Sequence, residues 1–368
     1  QKALHEGAFK IQATVNVAEL VDHVVKAEDV LKCLRLDTAQ QHTGRAGLIS
    51  AGASPRTAQV VLNQDITLNK ANFAIVLEIN KERCDKDIDL MASANPCYVR
   101  DGRRPSIALI RVCPQLDRWK DFLASNTASD VFRHELLHAL GWGTVTPAKG
   151  SVATPIDVPL NWSVGALSQP VVRKFMDFGH SATEYARTHF NCSLLEGIEA
   201  ERADKMHLSE YIFGNDLMTP VISTKMNYFT EITARILEET YLRSDRWYTV
   251  NRLAIAPEIA AYSYGKGWGC EFVAASCYDY INLRISQRRS TFPFCTAADY
   301  SRPDHSLHIC SASYQRALRC DSLPIDNEIR SSNGLSPVPM SQIFSGVPEK
   351  FNFRVPSTPE NRFCPFIE

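Results

Sequence analysis

Five consecutive residues, His134-Glu135-Leu136-Leu137-His138, carry the clearest chemistry in the chain. On a helix, histidines at i and i+4 project from one face about a turn apart, so both imidazoles can reach one metal ion. Glu135, at the neighbouring position, reaches a water on that metal instead of the metal itself. Zinc lowers the pKa of such a water to about 7, and a carboxylate can take its proton as it attacks a peptide carbonyl. The competing reading is an amphipathic helix that carries two histidines by chance. Ala139-Leu140-Gly141 extends the pattern to HExxHxxG, where a glycine lets the helix stop and the chain turn beneath the metal.

The pentapeptide needs a helix, and Ser125–Ala139 reads as one. Ser129 or Asn126 is the expected N-cap, Val131, Phe132, Leu136 and Leu137 the apolar side, and Gly141 with Gly143 the terminator. Before it, Asn16 to Leu36 carries an approximate helical stripe, and Thr57–Asn63, Phe73–Asn80 and Ser106–Cys113 are strand-like runs. Phe73–Asn80 or Ser106–Cys113 is a candidate edge strand for an extended peptide, although both are equally explained as core strands. Thr144–Val164 reads as an irregular loop, and Val171–Phe190 and Thr230–Tyr241 as helices, the latter with Ile232, Ile236 and Leu237 inward.

Composition narrows the setting. The 368 residues are 45% hydrophobic and 22% charged, ordinary for a folded chain of two or three units. With 40 basic against 41 acidic side chains, nothing favours nucleic acid or an anionic membrane as a partner, and no run is long enough to span a bilayer. Eleven cysteines without a CxxC pair point to an oxidising compartment and a disulfide framework, with one thiol left over or paired outside the chain. Six of them fall in 270–364, a loop-rich region supported by bridges. The sequons at Asn161 and Asn191 point weakly the same way, and Cys192, inside the second, is expected to bridge to another region.

A catalytic zinc needs a third protein ligand and an open fourth position. Three residues after Gly141, where a short motif would place its third histidine, stands Thr144. His180, His189 and His207 remain. Periodicity does not choose among them, and a histidine within a helical pattern is more often packed or solvated than a ligand. His207 differs because Asp216-Leu217-Met218-Thr219-Pro220 follows it. A methionine in a tight turn below a three-histidine zinc site is the mark of the metzincins.

Ala186-Arg187-Thr188-His189-Phe190-Asn191-Cys192-Ser193-Leu194-Leu195-Glu196-Gly197 resembles the stretch that precedes the third zinc histidine in the leishmanolysin family. His207, Glu210, Asn215 and Leu217-Met218-Thr219-Pro220 are similar to its ligand and Met-turn pattern, and the gap from Gly141 to His207 fits that family's long insertion. Gly265-Lys266-Gly267-Trp268-Gly269-Cys270-Glu271-Phe272 and Phe294-Cys295-Thr296 look like its Cys-rich C-terminal domain. Leu208 and Tyr211 depart from it, standing where tryptophan and arginine are usual.

The resemblance implies an α+β fold: a metzincin-type zinc peptidase core, a long insertion before the third ligand and a disulfide-rich C-terminal domain. It implies one zinc ion on His134, His138 and His207, Glu135 as general base and Met218 as the floor of the site. Thr219–Ser223, with Thr219, Pro220 and Val221 foremost, would line the pocket for the residue after the scissile bond. The expected division is 1–143 for the sheet and active-site helix, 144–250 for the insertion, third ligand and Met-turn, and 251–368 for the Cys-rich domain. Gln1–His5 lacks a signal-peptide core, no propeptide-type His-Arg-Cys stretch occurs and Pro356–Glu368 has no hydrophobic tail, so a mature secreted or cell-surface endopeptidase acting on proteins or peptides is expected. The rival readings are a non-catalytic adhesion protein on the same scaffold and an intracellular relative with reduced cysteines.

Overall fold

Short runs rich in Val, Ile, Leu and Ala build the sheet on which the site helix rests. In the computed structural model, the described residues are 2–17, 73–79, 90–98, 104–144, 156–164, 167–178, 181–201, 206–223, 226–241 and 246–289. Short pieces at 23–26, 28–29, 46–50, 58–59, 66–68, 84–85, 308–310, 317–319, 338–339 and 354–355 complete them. A five-stranded sheet has the order 58–59, Ala46–Ser50, Ala74–Ile79, Ile107–Val112, Ala92–Tyr98. Only Ala74–Ile79 and Ile107–Val112 run parallel. Both are nearly continuous apolar segments, as interior strands covered on both faces must be. Glu78 and Arg111, opposite each other in the register, form a buried ion pair at 2.8 Å. Neither strand is an edge. The edges are 58–59 and Ala92–Tyr98, which the expectation missed because alternation reports burial and not strand order.

The site helix is Ala128–Ala139, preceded by a separate helix, Leu116–Ala124. Its N-cap is Thr127, not Ser129 or Asn126, and Asn126 instead adopts a positive φ of 62° in the link between the two helices. All twelve of its residues are buried. It is therefore covered all round and not amphipathic, and each of its polar side chains must find a partner inside the protein. Part of the cover is the helix Lys2–Thr14, whose Leu4, Gly7, Ile11 and Thr14 face inward. A Cβ on Gly7 would lie 2.9 Å from the Ser129 carbonyl oxygen, so glycine sets the closeness of this helix pair.

Several expectations change. Val15–Val17 is a strand paired with Tyr248–Val250, and His23–Val25 is another, so Asn16–Leu36 does not begin as a helix; 30–36 lie outside the described residues. Ile156–Val164 is a strand, not loop, and Leu167–Phe178 is its antiparallel partner, so the helix expected over Val171–Phe190 is only Ser181–Phe190. β-branched Val171 and Val172 favour the extended form, and Pro170 sits where the third strand, Gly197–Glu199, no longer pairs. Of the run Thr57–Asn63, only 58–59 are described, as a strand. Glu231–Glu239 forms as expected, with Thr230 as N-cap and Ile232, Ile236 and Leu237 buried.

The region from 251 opens as helices, Arg252–Ala261, Cys270–Ala274 and Cys277–Ser286, before the short pairs 308–310 with 317–319 and 338–339 with 354–355. Cys192–Cys270 joins it to the end of helix Ser181–Phe190, and Cys84–Cys113 links the segment after Ala74–Ile79 to the end of Ile107–Val112. Gly267 and Gly269 N–H groups reinforce the first junction by donating to the His189 and Phe190 carbonyls.

Candidate metal centre

Helix Ala128–Ala139 delivers His134 and His138 on one face, and the chain returns 69 residues later to bring His207 against them. The ligand-capable atoms of these three residues all lie within 4.8 Å of one another. His138 Nε2 is 3.0 Å from His134 Nε2 and 3.2 Å from His207 Nε2. His134 Nδ1 lies 2.7 Å from the Leu217 carbonyl oxygen and His138 Nδ1 lies 3.0 Å from that of Trp142. A carbonyl only accepts, so each Nδ1 carries the ring proton and each Nε2 presents a lone pair. Two lone pairs facing each other at 3.0 Å repel unless a cation sits between them. Burial, reinforced by the neighbouring histidine, pushes both imidazoles down to about 3, which keeps them in the neutral form that binds metal.

Ligands placed tetrahedrally at about 2.0–2.1 Å from zinc stand about 3.3–3.4 Å apart, close to the two separations seen. Three imidazoles with no carboxylate among them suit zinc and not magnesium or calcium. The residues present fit a zinc ion.

The turn beneath is built by backbone geometry. The helix ends with Leu140 N–H donating to Leu136, Gly141 N–H to His138 and Trp142 N–H to Leu137. Gly141 takes a φ of 108° and Gly143 one of 63°, both in the region that glycine alone enters readily. The Thr144 hydroxyl donates to the His138 carbonyl at 3.0 Å, so the residue at the short motif's third-histidine position caps the helix instead. A Cβ on Gly143 would stand 2.8 Å from the Met206 carbonyl oxygen, because the segment carrying His207 passes directly over it. Gly143→Ala is expected to destabilise the fold by about 1–3 kcal/mol, read as a lower urea midpoint with unchanged slope. An unchanged midpoint would show that the crossing is looser than described.

His207 is held by its flanking backbone. Glu201 N–H donates to the His207 carbonyl, Leu208 N–H to Met218 and Ser209 N–H to Glu199. Met218 is fully buried in the turn Asp216–Thr219. Asp216, also fully buried, accepts from Met218 N–H at 2.7 Å, the Thr233 hydroxyl at 2.7 Å and the Thr230 hydroxyl at 2.5 Å. Burial pushes its carboxyl up to about 6, against the pull of those three donors. Glu135 is buried on the same helix as the two histidines.

Among the other expected residues, Thr219 is buried, its hydroxyl donating to the Asp216 carbonyl, whereas Val221 is 56% exposed and Pro220 partly so. His189 is packed, its Nε2 donating to the Tyr264 carbonyl at 2.7 Å, and His180 lies outside the described residues. Asn191 is exposed with a φ of 56°, and Asn161 lies in strand Ile156–Val164. Sequence reasoning missed the Leu217 and Trp142 carbonyls, since a main-chain acceptor carries no residue signature. It also missed buried Arg133, which pairs with Asp130 at 3.1 Å and Glu258 at 2.7 Å and so ties the site helix to Arg252–Ala261.

An α+β chain in which a third histidine joins the two of a buried HExxH helix has the make-up of a metallopeptidase. The leishmanolysin family model matches residues 41–324, and the chain belongs to that family of zinc metallopeptidases. A leishmanolysin-like peptidase of Drosophila pseudoobscura pseudoobscura is 26% identical over 303 residues, covering 72% of this chain and 42% of that protein. One of Drosophila melanogaster is 27% identical over 267 residues (62% and 37%), and one of Caenorhabditis elegans 23% over 290 residues (68% and 42%). The chain thus spans less than half the length of these curated relatives. Helix Lys2–Thr14, which covers the site helix, lies outside the family match.

Proposed function

We propose that the chain is a secreted zinc-dependent endopeptidase with a metzincin-type core, cutting peptide bonds of extended protein substrates. The observation that carries this reading is the convergence of three histidines with two tautomers fixed so that Nε2 faces the common point. His134, His138 and His207 would hold the ion, which supplies a Lewis acid for the peptide carbonyl and lowers the pKa of the attacking water. Glu135 would accept the attacking water's proton and return it to the leaving amine. Met218 would close the floor, and of Thr219, Pro220 and Val221 the exposed Val221 is the candidate to meet the residue after the scissile bond. The edge strand Ala92–Tyr98, packed beside the site helix, is the candidate to hold substrate by main-chain hydrogen bonds.

The division at 143 and 250 is retained as part of this proposal. Two disulfides among the described residues, a high total of eleven cysteines and an exposed Asn191 sequon support an oxidising, extracellular setting. Among the described residues, no helix is long and apolar enough to cross a membrane. An adhesion protein on this scaffold would not require Glu135 beside the ligands, so the catalytic reading is preferred.

The test is cleavage of a mixed fluorogenic peptide pool before and after chelation. Activity is expected to vanish with 1,10-phenanthroline and to return with stoichiometric zinc. Cleavage that survives complete metal removal would sink the proposal.

A further inference from the structure

We infer that Asp216 is a positioning residue for the metal centre, a buried carboxylate that fixes the hydrogen-bond acceptors of both helix-borne histidines. The inference rests on the zinc reading above and adds a residue to it.

The first connection is short. Asp216 Oδ1 accepts the Met218 N–H at 2.7 Å, its backbone carbonyl accepts from Thr219 N–H and hydroxyl, and Leu217 N–H is held by the Tyr228 carbonyl. Leu217 is thus pinned on both sides, and its carbonyl oxygen is the one that receives His134 Nδ1–H.

The second connection passes through helix Glu231–Glu239. Asp216 Oδ2 accepts the Thr230 hydroxyl, whose oxygen accepts in turn from Ile232 and Thr233 N–H at the helix start. Oδ1 accepts the Thr233 hydroxyl. The Thr233 carbonyl receives the indole N–H of fully buried Trp142 at 3.1 Å, and the Trp142 carbonyl receives His138 Nδ1–H. One buried side chain therefore stands behind both acceptors, one residue from the first and two hydrogen bonds from the second. A carboxylate suits the place because three donors converge on it, at the N-terminus of a helix, where negative charge is favoured. Partners behind a ligating imidazole orient the ring and set its basicity, and their loss typically costs about 10–100-fold in metal affinity or activity.

Asparagine keeps one oxygen but turns an NH₂ toward Thr230, whose lone pairs already serve two backbone N–H groups. In the full chain, Asp216→Asn is expected to weaken zinc binding by about 10–100-fold in chelator competition. It should also change the d–d absorption of the Co²⁺-substituted protein, a readout that general loosening at a distance does not move. Thr240→Val, at the far end of the same helix with its hydroxyl on the Ile236 carbonyl, serves as the structural control and keeps wild-type affinity and spectrum. Wild-type zinc affinity and an unchanged Co²⁺ spectrum in Asp216→Asn would overturn the assignment. Should that variant not fold, Thr233→Val removes one bond to the carboxylate. It is expected to show a smaller loss in the same direction, and unchanged binding there also overturns the assignment. If the wild-type chain itself binds neither zinc nor Co²⁺, the zinc reading fails and takes this inference with it. That outcome is distinct from a wild type that binds and a variant that binds equally.

Discussion

Glu135→Ala, fully loaded with zinc, lowers kcat for peptide hydrolysis by about 10²–10⁴-fold, the usual contribution of a positioned general base. Glu135 lies next to His134 on a helix whose two histidines are fixed through the Leu217 and Trp142 carbonyls. Truncating it removes a proton acceptor and leaves the His134–Leu217 and His138–Trp142 hydrogen bonds in place, so metal content by mass spectrometry is expected to stay at one ion per chain. KM changes little if the residue acts chiefly in the transition state. Equal turnover by the two proteins would remove Glu135 from the mechanism. Zinc bound with no turnover by either would turn attention to the adhesion reading.

The candidate site was legible in the sequence where it depends on local spacing, and the tertiary arrangement was not. His134, Glu135 and His138 can be read together because 3.6 residues per turn fixes their relation whatever surrounds the helix. His207 could not be reached that way. Its place depends on a crossing over Gly143, and only resemblance to the family's Met-turn pattern singled it out from His180 and His189. Helix Lys2–Thr14 escaped notice for a related reason. Its inward stripe runs Leu4, Gly7, Ile11, Thr14, and Gly7 contributes by having no side chain, which weakens any apolar period. The stretch Val171–Phe178 misled in the opposite sense: its apolar residues satisfied a helical template, while the partner strand that decides the matter lay in a segment read as loop. The buried polar residues Asp130, Arg133 and Asp216 look like solvated charges in sequence, yet each also relies on partners farther along the chain that spacing does not reveal.

His207→Ala carries the other large expected effect, on zinc itself. Binding free energies of about 10–16 kcal/mol for four-ligand sites imply about 2.5–4 kcal/mol per ligand, or a loss of about 10²–10³-fold in affinity. The loss can be assigned to the ring because the backbone around it is fixed by other groups: the Glu201, Leu208 and Ser209 N–H bonds do not involve the imidazole. His189→Ala supplies the contrast. It removes a histidine packed against Tyr262 and bonded to the Tyr264 carbonyl, so stability falls while zinc affinity holds. Undiminished zinc affinity in His207→Ala would leave the ion on two helix histidines alone, and the 3.2 Å approach of His207 to His138 would then reflect packing and not coordination. A parallel loss in both variants would mean that the centre responds to general loosening of the fold. Only the split result, affinity lost at 207 and kept at 189, assigns the third ligand.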